Sequence, residues 1–273
     1  MSPAHGSRVA IVGAGKMGEI VLSGMLRAGK PASELMVTTR RAERAEQLRE
    51  RYGVEALGNP EAAKVADILL VAVKPQDMSA LLDELGPQVP ADRLVVTMAA
   101  GVTTSTIERR LAEGTAVVRV MANTPALVDE AMSAISAGSH ATGEHLERTE
   151  ELFRPIGKTI RLPESQQDAV TALSGSGPAY FYYLVEAMTD AGILLGIPRA
   201  VAHDLIVQSA VGAAVMLRDS GEHPVKLREA VTSPAGTTIS AISELERHGV
   251  RAAFLAALQA ARDRGRELAR GQD

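Results

Sequence analysis

The sequence predicts an α/β fold, with a doubly wound parallel sheet in the N-terminal part and an all-helical C-terminal domain. Short β-branched runs alternate with helix-like segments up to Pro163, and no convincing strand follows that residue. Such alternation is typical of parallel βαβ units. The length of 273 residues also fits two domains of about 150 residues better than one. We therefore predict domains at 1–163 and 164–273.

The predicted strands are short apolar runs of the length expected for buried strands. They are Val9–Val12, Leu35–Thr39, Asp67–Val73, Leu94–Met98, Ala116–Val120, Met132–Ala137 and Lys158–Leu162. Between the earlier ones, Lys16–Ala28 and Ala42–Tyr52 have apolar residues at three- and four-residue spacing, which predicts helices.

The C-terminal helices are predicted from long segments rich in alanine and leucine, at Ala179–Leu195, Pro198–Asp219, Thr238–Arg247 and Val250–Ala269. Pro198 follows Gly196, as expected for a proline in the first turn of a helix. The run Leu205–Leu217 is apolar on nearly every face, and such a helix needs neighbours on all sides. We predict that this run lies in a subunit interface.

Composition and charge exclude several classes of protein. Charged residues make up 23% and the AVILMFWYC set 46%, which is average for a folded globular chain. The net charge of −4 gives no bulk attraction to nucleic acid. The absence of cysteine excludes disulfides, thiolate nucleophiles and Cys-containing zinc sites. No uncharged stretch is suited to a membrane span and no secretory signal is evident, so we expect a cytoplasmic protein that binds neither nucleic acid nor a membrane.

A glycine motif follows the first strand. Gly13, Gly15 and Gly18 form G-x-G-x-x-G between a strand and a helix, the context that makes this motif informative. Gly13 would form the tight turn, Gly15 would admit the pyrophosphate, and Gly18 would let the helix pack on the strand. The motif predicts a Rossmann-type dinucleotide site.

The end of the second predicted strand indicates which dinucleotide binds. An NAD-selective site usually has an acidic residue there for the ribose hydroxyls, but this chain has Thr38, Thr39, Arg40 and Arg41. A guanidinium suits a 2′-phosphate, so NADP(H) is the preferred cofactor, with NAD(H) as an alternative. The other interpretation is that these arginines, with Arg44, are solvated residues that open the next helix.

Three further segments follow predicted strands: Lys74-Pro75, Ala99-Ala100-Gly101 and Asn123-Thr124-Pro125. Ligands of open α/β sheets bind at the carboxyl ends of the strands. Small residues and a proline there suit a flat nicotinamide, although each segment on its own is equally compatible with an ordinary loop.

A second candidate site is rich in hydroxyl groups. Thr232–Thr238 precedes a predicted helix and contains four hydroxyl side chains, more than capping of that helix requires. Gly236 lets a ligand approach the backbone, so the turn could hold a small carboxylate. The aromatic cluster Tyr180–Tyr183 is predicted to be core. The histidine spacing indicates no metal site, and no hydrolytic triad is evident.

Six segments together resemble the pyrroline-5-carboxylate reductase family. They are Val12–Gly18, Val71–Pro75, Met98–Val102, Arg119–Pro125, Ala172–Tyr180 and, most specifically, Val231–Thr238. The family commonly has two glycines after the proline of the last segment, whereas this chain has Ala235-Gly236, so we expect a slightly altered turn.

The resemblance implies an oxidoreductase acting on a CH–NH group, which transfers hydride from NAD(P)H to the imine carbon of 1-pyrroline-5-carboxylate. The product is L-proline, in the final step of proline biosynthesis. It implies that Thr238 is the catalytic hydroxyl and that Ser233, Gly236 and Thr237 hold the substrate carboxylate. It also implies a homo-oligomer with a dimer as its basic unit, a decamer of five dimers being one larger assembly.

The cofactor-binding residues expected from the motif and the resemblance together are Gly13, Gly15, Lys16, Met17, Gly18, Thr39, Arg40, Asn59, Val73, Lys74, Pro75, Ala99, Ala100 and Asn123.

Two other functions stay open from the residues. A reductase of the β-hydroxyacid dehydrogenase kind would share both domains, but it usually has a catalytic lysine on a helix of the second domain, where only Lys226 is present. A non-catalytic NADP(H)-binding redox sensor is the other. Turnover with pyrroline-5-carboxylate distinguishes our prediction from both.

Overall fold

The computed structural model describes residues 6–270, and over these the chain forms strands in its first part and helices throughout. The strands are β1 Val9–Val12, β2 Leu35–Thr38, β3 Glu55–Ala56, β4 Ile68–Val71, β5 Leu94–Thr97, β6 Ala116–Met121, β7 Ala131–Ala137 and β8 Gly157–Arg161. The α-helices are α1 Lys16–Arg27, α2 Ala42–Tyr52, α3 Asn59–Val65, α4 Met78–Leu85, α5 Thr104–Glu108, α6 Gly143–Phe153, α7 Gln167–Val170, α8 Gly177–Leu194, α9 Arg199–Asp219, α10 Pro224–Ala230, α11 Thr237–Arg247 and α12 Val250–Arg270.

The strands form one sheet in the order β3-β2-β1-β4-β5-β6-β7-β8. The first six strands in this order, from β3 through β2, β1, β4 and β5 to β6, are parallel, which confirms the doubly wound fold. Strand β7 runs antiparallel to β6, and β8 is parallel to β7. The reversal has a physical cause, because residues 122–130 are too few for the crossover that a parallel partner of β6 would need.

Both faces of the sheet are covered, so its central strands consist mostly of apolar residues. On β1, Val9 and Ile11 pack into one core with residues of α1, α2 and α6. Ala10 and Val12 pack into a second core with residues of α3, α4 and α5. Alternate residues of a strand point to opposite faces, and β1, β2, β4 and β5 are accordingly buried along their whole length.

The prediction of helices alone after the sheet is confirmed, since the described residues beyond β8 contain no strand. Helices α8 and α9 pack closely at one point, where a Cβ added to Gly192 would lie 2.7 Å from that of Ala202. Pro198 is the N-cap of α9, one residue before the predicted position. The structure adds α7 and α10, which are not among the helices predicted for this part of the chain.

Helix α9 is long and apolar enough to cross a membrane by length and composition, yet only 6% of its most apolar window is buried within this chain. The predicted run Leu205–Leu217 therefore exposes its apolar side chains, with Leu205 at 55% and Val211 at 51%. Only Ala202 is buried among the residues of this helix.

By internal packing, the residues up to Ser176 together with those from Ala261 form one compact unit, and Gly177–Ala260 forms another. The division at Pro163 stays a prediction. It follows the end of the sheet, since β8 ends at Arg161.

Candidate functional site

The glycine-rich turn between β1 and α1 is shaped by close backbone approach. Gly13 has φ +78, and a Cβ there would lie 2.4 Å from Cγ1 of Val73. The backbone N–H groups of Gly13 and Ala14 both donate to the carbonyl of Thr38. At Gly18 a Cβ would lie 2.9 Å from Cγ2 of Ile11, so this glycine lets α1 pack against β1. Substitution at either glycine would require its neighbour to move.

Gly15 is the N-cap of α1 and has no side-chain capping bond. The first N–H groups of a helix have no partner within it and favour a negatively charged ligand. An added Cβ would have no neighbour closer than the carbonyl oxygen of Gly13 at 3.8 Å. The space beside Gly15 is therefore open to an approaching phosphate.

A cavity of about 450 Å³ lies at the carboxyl ends of β1, β2 and β4. Seven predicted cofactor residues line it: Gly13, Gly15, Thr39, Arg40, Asn59, Val73 and Lys74. The others lie outside its lining, namely Lys16, Met17, Gly18, Pro75, Ala99, Ala100 and Asn123. The glycine cradle and the lining cations fit a dinucleotide phosphate.

Two of the three arginines after β2 have carboxylate partners. Arg40 donates from Nη1 and Nη2 to the two carboxylate oxygens of Asp77, each at 3.2 Å. Arg44 donates to Glu19 on α1. Arg41 lines the cavity, and its side chain has no hydrogen bond or ion pair to another described residue. From the sequence, Arg41 is identifiable only as part of a motif, yet in the structure it is the arginine most available to a ligand.

Glu19 explains why Arg44 differs from Arg41. Burial alone would raise the pKa of Glu19, but hydrogen bonds from Arg44 and Tyr52 outweigh it and lower that pKa. Arg51 also donates to this carboxylate, at 3.0 Å. Glu19 thus ties α2 to α1, and Arg44 belongs to this structural cluster.

Asn123 is occupied by contacts within the chain. Its Nδ2 donates to the carbonyl oxygen of Ser174 at 3.1 Å, and its Oδ1 accepts from the N–H of Met132 at 3.0 Å. Ser174 lies in a π-helical turn, Thr171–Gly175. Such turns occur often at functional sites, and the Ser-Gly repeat was its only sequence signal. Asn123 therefore connects the end of β6 to β7 and to this turn.

The turn before α11 is held by backbone contacts. The N–H of Gly236 donates to the carbonyl of Ser233 at 3.1 Å, and Ala235 has φ +55. The turn therefore forms despite the alanine, in the left-handed region that favours glycine. Gly236 is the N-cap of α11, with no side-chain capping bond.

The hydroxyls of this turn are mostly free. Thr232 donates its hydroxyl to the carbonyl of Arg228 at 2.6 Å. The hydroxyls of Ser233, Thr237 and Thr238 form no hydrogen bond to any described residue. Capping accounts for none of these three, so they are available to a ligand together with the first N–H groups of α11.

The prediction that the aromatic cluster is core is wrong for the single chain. Phe181, Tyr182 and Tyr183 are each about two-thirds exposed. No residue in the described range 6–270 covers these three side chains, and Phe181 and Tyr182 instead line an apolar groove with Val207, Val211 and Leu217 of α9.

Comparison with known proteins identifies two matching family models. Residues 164–268 match the model described as pyrroline-5-carboxylate reductase dimerisation. Residues 8–101 match NADP oxidoreductase coenzyme F420-dependent.

Individual proteins resemble nearly the whole chain. A pyrroline-5-carboxylate reductase from Corynebacterium melassecola is 42% identical over 264 residues, covering 95% of this chain and 98% of that protein. The solved structure of a pyrroline-5-carboxylate reductase from Coxiella burnetii is 34% identical, with a TM-score of 0.91 over 96% of this chain and 98% of the other. The Plasmodium falciparum pyrroline carboxylate reductase with NADP bound shares the fold at 24% identity, with a TM-score of 0.86 over 97% of this chain and 99% of the other.

Proposed function

The chain belongs to the pyrroline-5-carboxylate reductase family, and on that premise we propose which of its residues carry the reaction. It is an NAD(P)H-dependent oxidoreductase that acts on a CH–NH group and reduces 1-pyrroline-5-carboxylate to L-proline. The observation that carries the assignment of residues is the set of free hydroxyls at the start of α11.

Ser233 and the first turn of α11 hold the substrate carboxylate. The N–H groups of Thr237 and Thr238 have no acceptor within the helix, and a carboxylate there is favoured by the helix dipole. The N–H of Gly236 is already used in the turn. Gly236 therefore contributes by lacking a side chain, since a Cβ there would lie 3.3 Å from the Ser233 hydroxyl oxygen and 3.1 Å from its carbonyl oxygen.

Thr238 orients the imine. A bound nicotinamide supplies hydride to the imine carbon, and the protein supplies position. When the imine is protonated, its N–H donates to the Thr238 hydroxyl oxygen, which holds the C=N bond in one orientation. No strong acid is needed at this position, because the iminium already carries the proton that the product amine retains.

NADP(H) is the preferred cofactor in this proposal. Support comes from Arg40 and Arg41, which line the cavity after β2, and from the free side chain of Arg41. We expect a lower KM for NADPH than for NADH. Replacing both arginines with alanine narrows that difference, because only the 2′-phosphate loses its charged partners, and added salt weakens the wild-type preference. Equal KM values in the wild type would refute the assignment.

The test of the reaction is NADPH oxidation with pyrroline-5-carboxylate and, in parallel, with a panel of β-hydroxyacids and their keto forms. We expect turnover only with the cyclic imine. Lys226→Ala retains activity, because Lys226 is 71% exposed and pairs with Glu222 on the surface. A lysine-dependent hydroxyacid enzyme would lose its rate with that variant, and a redox sensor would turn over no substrate.

The protein is a homo-oligomer, as its match to a dimerisation model indicates, and we propose a dimer as the smallest stable unit. The exposed faces of α8 and α9 support this. A decamer of five dimers stays a larger assembly implied by family resemblance. We also propose that α9 packs against a second chain instead of a bilayer, and that the enzyme works in the cytoplasm.

A further inference from the structure

Asp77 and Arg40 form an ion pair between two segments that line the cofactor cavity. Arg40 follows β2, and Asp77 lies between β4 and α4. Asp77 directly precedes α4, yet its side chain makes no capping bond to that helix. It accepts both Nη groups of Arg40 instead, each at 3.2 Å. The carboxylate at the N-terminus of α4 thus pairs with an arginine of the candidate cofactor site and does not cap the helix.

The other charged groups that line the cavity are arranged differently. Arg44 is held by Glu19, which lies outside the lining, and neither Arg41 nor Lys74 has a carboxylate of a described residue within ion-pair distance. Glu84 accepts a hydrogen bond from Asn59 at 3.1 Å. Among the described lining residues, Arg40 is the only cation whose carboxylate partner faces the same cavity.

We infer that Asp77 competes with the cofactor 2′-phosphate for Arg40 and so limits the preference for NADP(H) over NAD(H). This inference rests on the proposed cofactor site. A 2′-phosphate that binds Arg40 must displace the Asp77 carboxylate or lie beside it. The phosphate and the carboxylate are both negatively charged and repel each other when they contact the same guanidinium. A ribose with a free 2′-hydroxyl is uncharged and is not repelled by the Asp77 carboxylate. Asp77 is therefore a specificity-determining residue that acts against the phosphate.

The pair can be altered without endangering the fold. The Arg40 side chain is 82% exposed, and exposed ion pairs contribute little to stability. Asp77→Asn removes the charge and keeps the shape. Asp83→Asn is the matched control, because Asp83 lies on α4, pairs with Arg110 at 2.7 Å, and is outside the cavity lining.

The experiment measures binding by calorimetry, without substrate, using adenosine 2′,5′-bisphosphate and 5′-AMP as probes at two salt concentrations. We expect Asp77→Asn to bind the bisphosphate about threefold to tenfold more tightly, since one opposing charge is removed, while 5′-AMP binding stays within about twofold. The salt dependence for the bisphosphate becomes steeper, because the site gains net positive charge. Asp83→Asn leaves both affinities unchanged.

A second background separates this inference from the cofactor assignment. In the Arg40→Ala protein, Asp77→Asn increases the affinity for the bisphosphate by a smaller factor, because there is no guanidinium left for which Asp77 and the phosphate compete. If Asp77→Asn binds the bisphosphate no better, or less well, while the Arg40→Ala/Arg41→Ala protein still loses affinity for it, the competition is refuted and the cofactor site stands. If the wild type binds both probes equally and the double arginine variant changes nothing, both proposals fail.

Discussion

Ala235 adopts a conformation that costs free energy at a single residue. It is the third residue of a turn closed by the hydrogen bond from Gly236 to Ser233, with Pro234 second. A positive φ at the third position is typical of type II turns, which favour glycine there. An alanine in the left-handed region is disfavoured by about 1–2 kcal/mol.

We expect Ala235→Gly to stabilise the protein. Relief of the strain exceeds the greater unfolded-state entropy of glycine, which offsets about 0.4–1 kcal/mol, so the net gain is about 0.5–1 kcal/mol. Urea unfolding at fixed protein concentration measures it, with reductase kinetics recorded in parallel. Ala235→Val serves as the opposite test and should destabilise, because a β-branched side chain tolerates this φ poorly. A glycine variant less stable than the wild type would contradict the strain argument.

Thr238→Val tests the hydroxyl that we assign to the imine. The change is nearly isosteric and removes one hydrogen-bonding group, so kcat/KM should fall about tenfold to a hundredfold, equivalent to about 1–3 kcal/mol. Binding of NADPH, followed by fluorescence, should stay nearly unchanged.

The control for that variant is Ser240→Ala on the same helix. The Ser240 hydroxyl already donates to the carbonyl of Gly236 at 3.1 Å, so its loss should leave kcat/KM within about twofold of the wild type. An unchanged kcat/KM in Thr238→Val would remove the catalytic role of Thr238.

At the level of residues, sequence could identify groups by type but not by partner. The glycine spacing predicted the turn at Gly13 and the packing at Gly18, since both follow from local backbone geometry. The pairing of Arg44 with Glu19 depends on how α2 packs against α1. The free state of Arg41 follows from that packing as well, so only the structure separates the two arginines.

Glu150 joins two elements, α6 and the edge strand β8. Its carboxylate accepts two hydrogen bonds from Arg161, at 2.7 and 3.0 Å, and one from Arg154 at 3.1 Å. The hydrogen bond from Arg161 is the main cause of a lowered pKa for Glu150, against the opposing effect of burial. The pair therefore links a helix of the outer layer to the last strand of the sheet.

We expect Glu150→Gln to lower the free energy of unfolding at pH 7 by about 0.5–1.5 kcal/mol, because the Arg161 and Arg154 side chains are 40% and 60% exposed and solvent screens these bonds. Because the folded pKa lies below the unfolded value of about 4.3, the contribution of the carboxylate is complete above that value and is lost as pH falls through the folded pKa. The difference between wild type and variant should therefore shrink in the acid range.

Urea midpoints at several pH values check this expectation, with Glu144→Gln, an exposed position on the same helix, as control. A difference in stability that stays constant from pH 7 into the acid range would show that the charge of Glu150 is not the cause.

At the level of elements, the central strands were predictable because burial on both faces makes them mostly apolar. Strand β3, with two residues, and α10, with seven, are too short for periodicity to identify. The antiparallel direction of β7 was missed because an apolar run carries no information about its direction. The length of the connection before it, residues 122–130, was the available signal.

At the scale of the whole molecule, we expect assembly to depend on the apolar surface of α8 and α9. A large contiguous apolar surface exceeds what soluble monomers usually expose, and a second chain can cover it. Val211→Asp places a charge in the middle of this surface, which would be buried without a partner in the assembly. We expect the variant to dissociate or unfold.

Size-exclusion chromatography with light scattering measures the outcome, and circular dichroism distinguishes a dissociated protein from an unfolded one. Gln47→Asp adds the same carboxylate on the exposed side of α2 and should leave the assembly intact. A wild-type monomer with full activity at assay concentration would refute the shared interface.

The exposure of the aromatic cluster illustrates why sequence fell short at this scale. A helix face that packs inside one chain and a face that packs against a second chain have the same apolar pattern. The pattern of Tyr180–Tyr183 predicted burial, and only the fold reveals that Phe181, Tyr182 and Tyr183 stay exposed within the described part of the chain.

The edges of the eight-stranded sheet have a consequence for aggregation. A long, flat edge strand invites pairing with another chain, but here one edge is the two-residue strand β3. The other edge, β8, carries Lys158 and Arg161, and charged side chains on an edge discourage an incoming strand. Both edges thereby discourage edge-to-edge pairing with another sheet, so we expect these chains to associate through other surfaces, such as the exposed apolar face of α8 and α9.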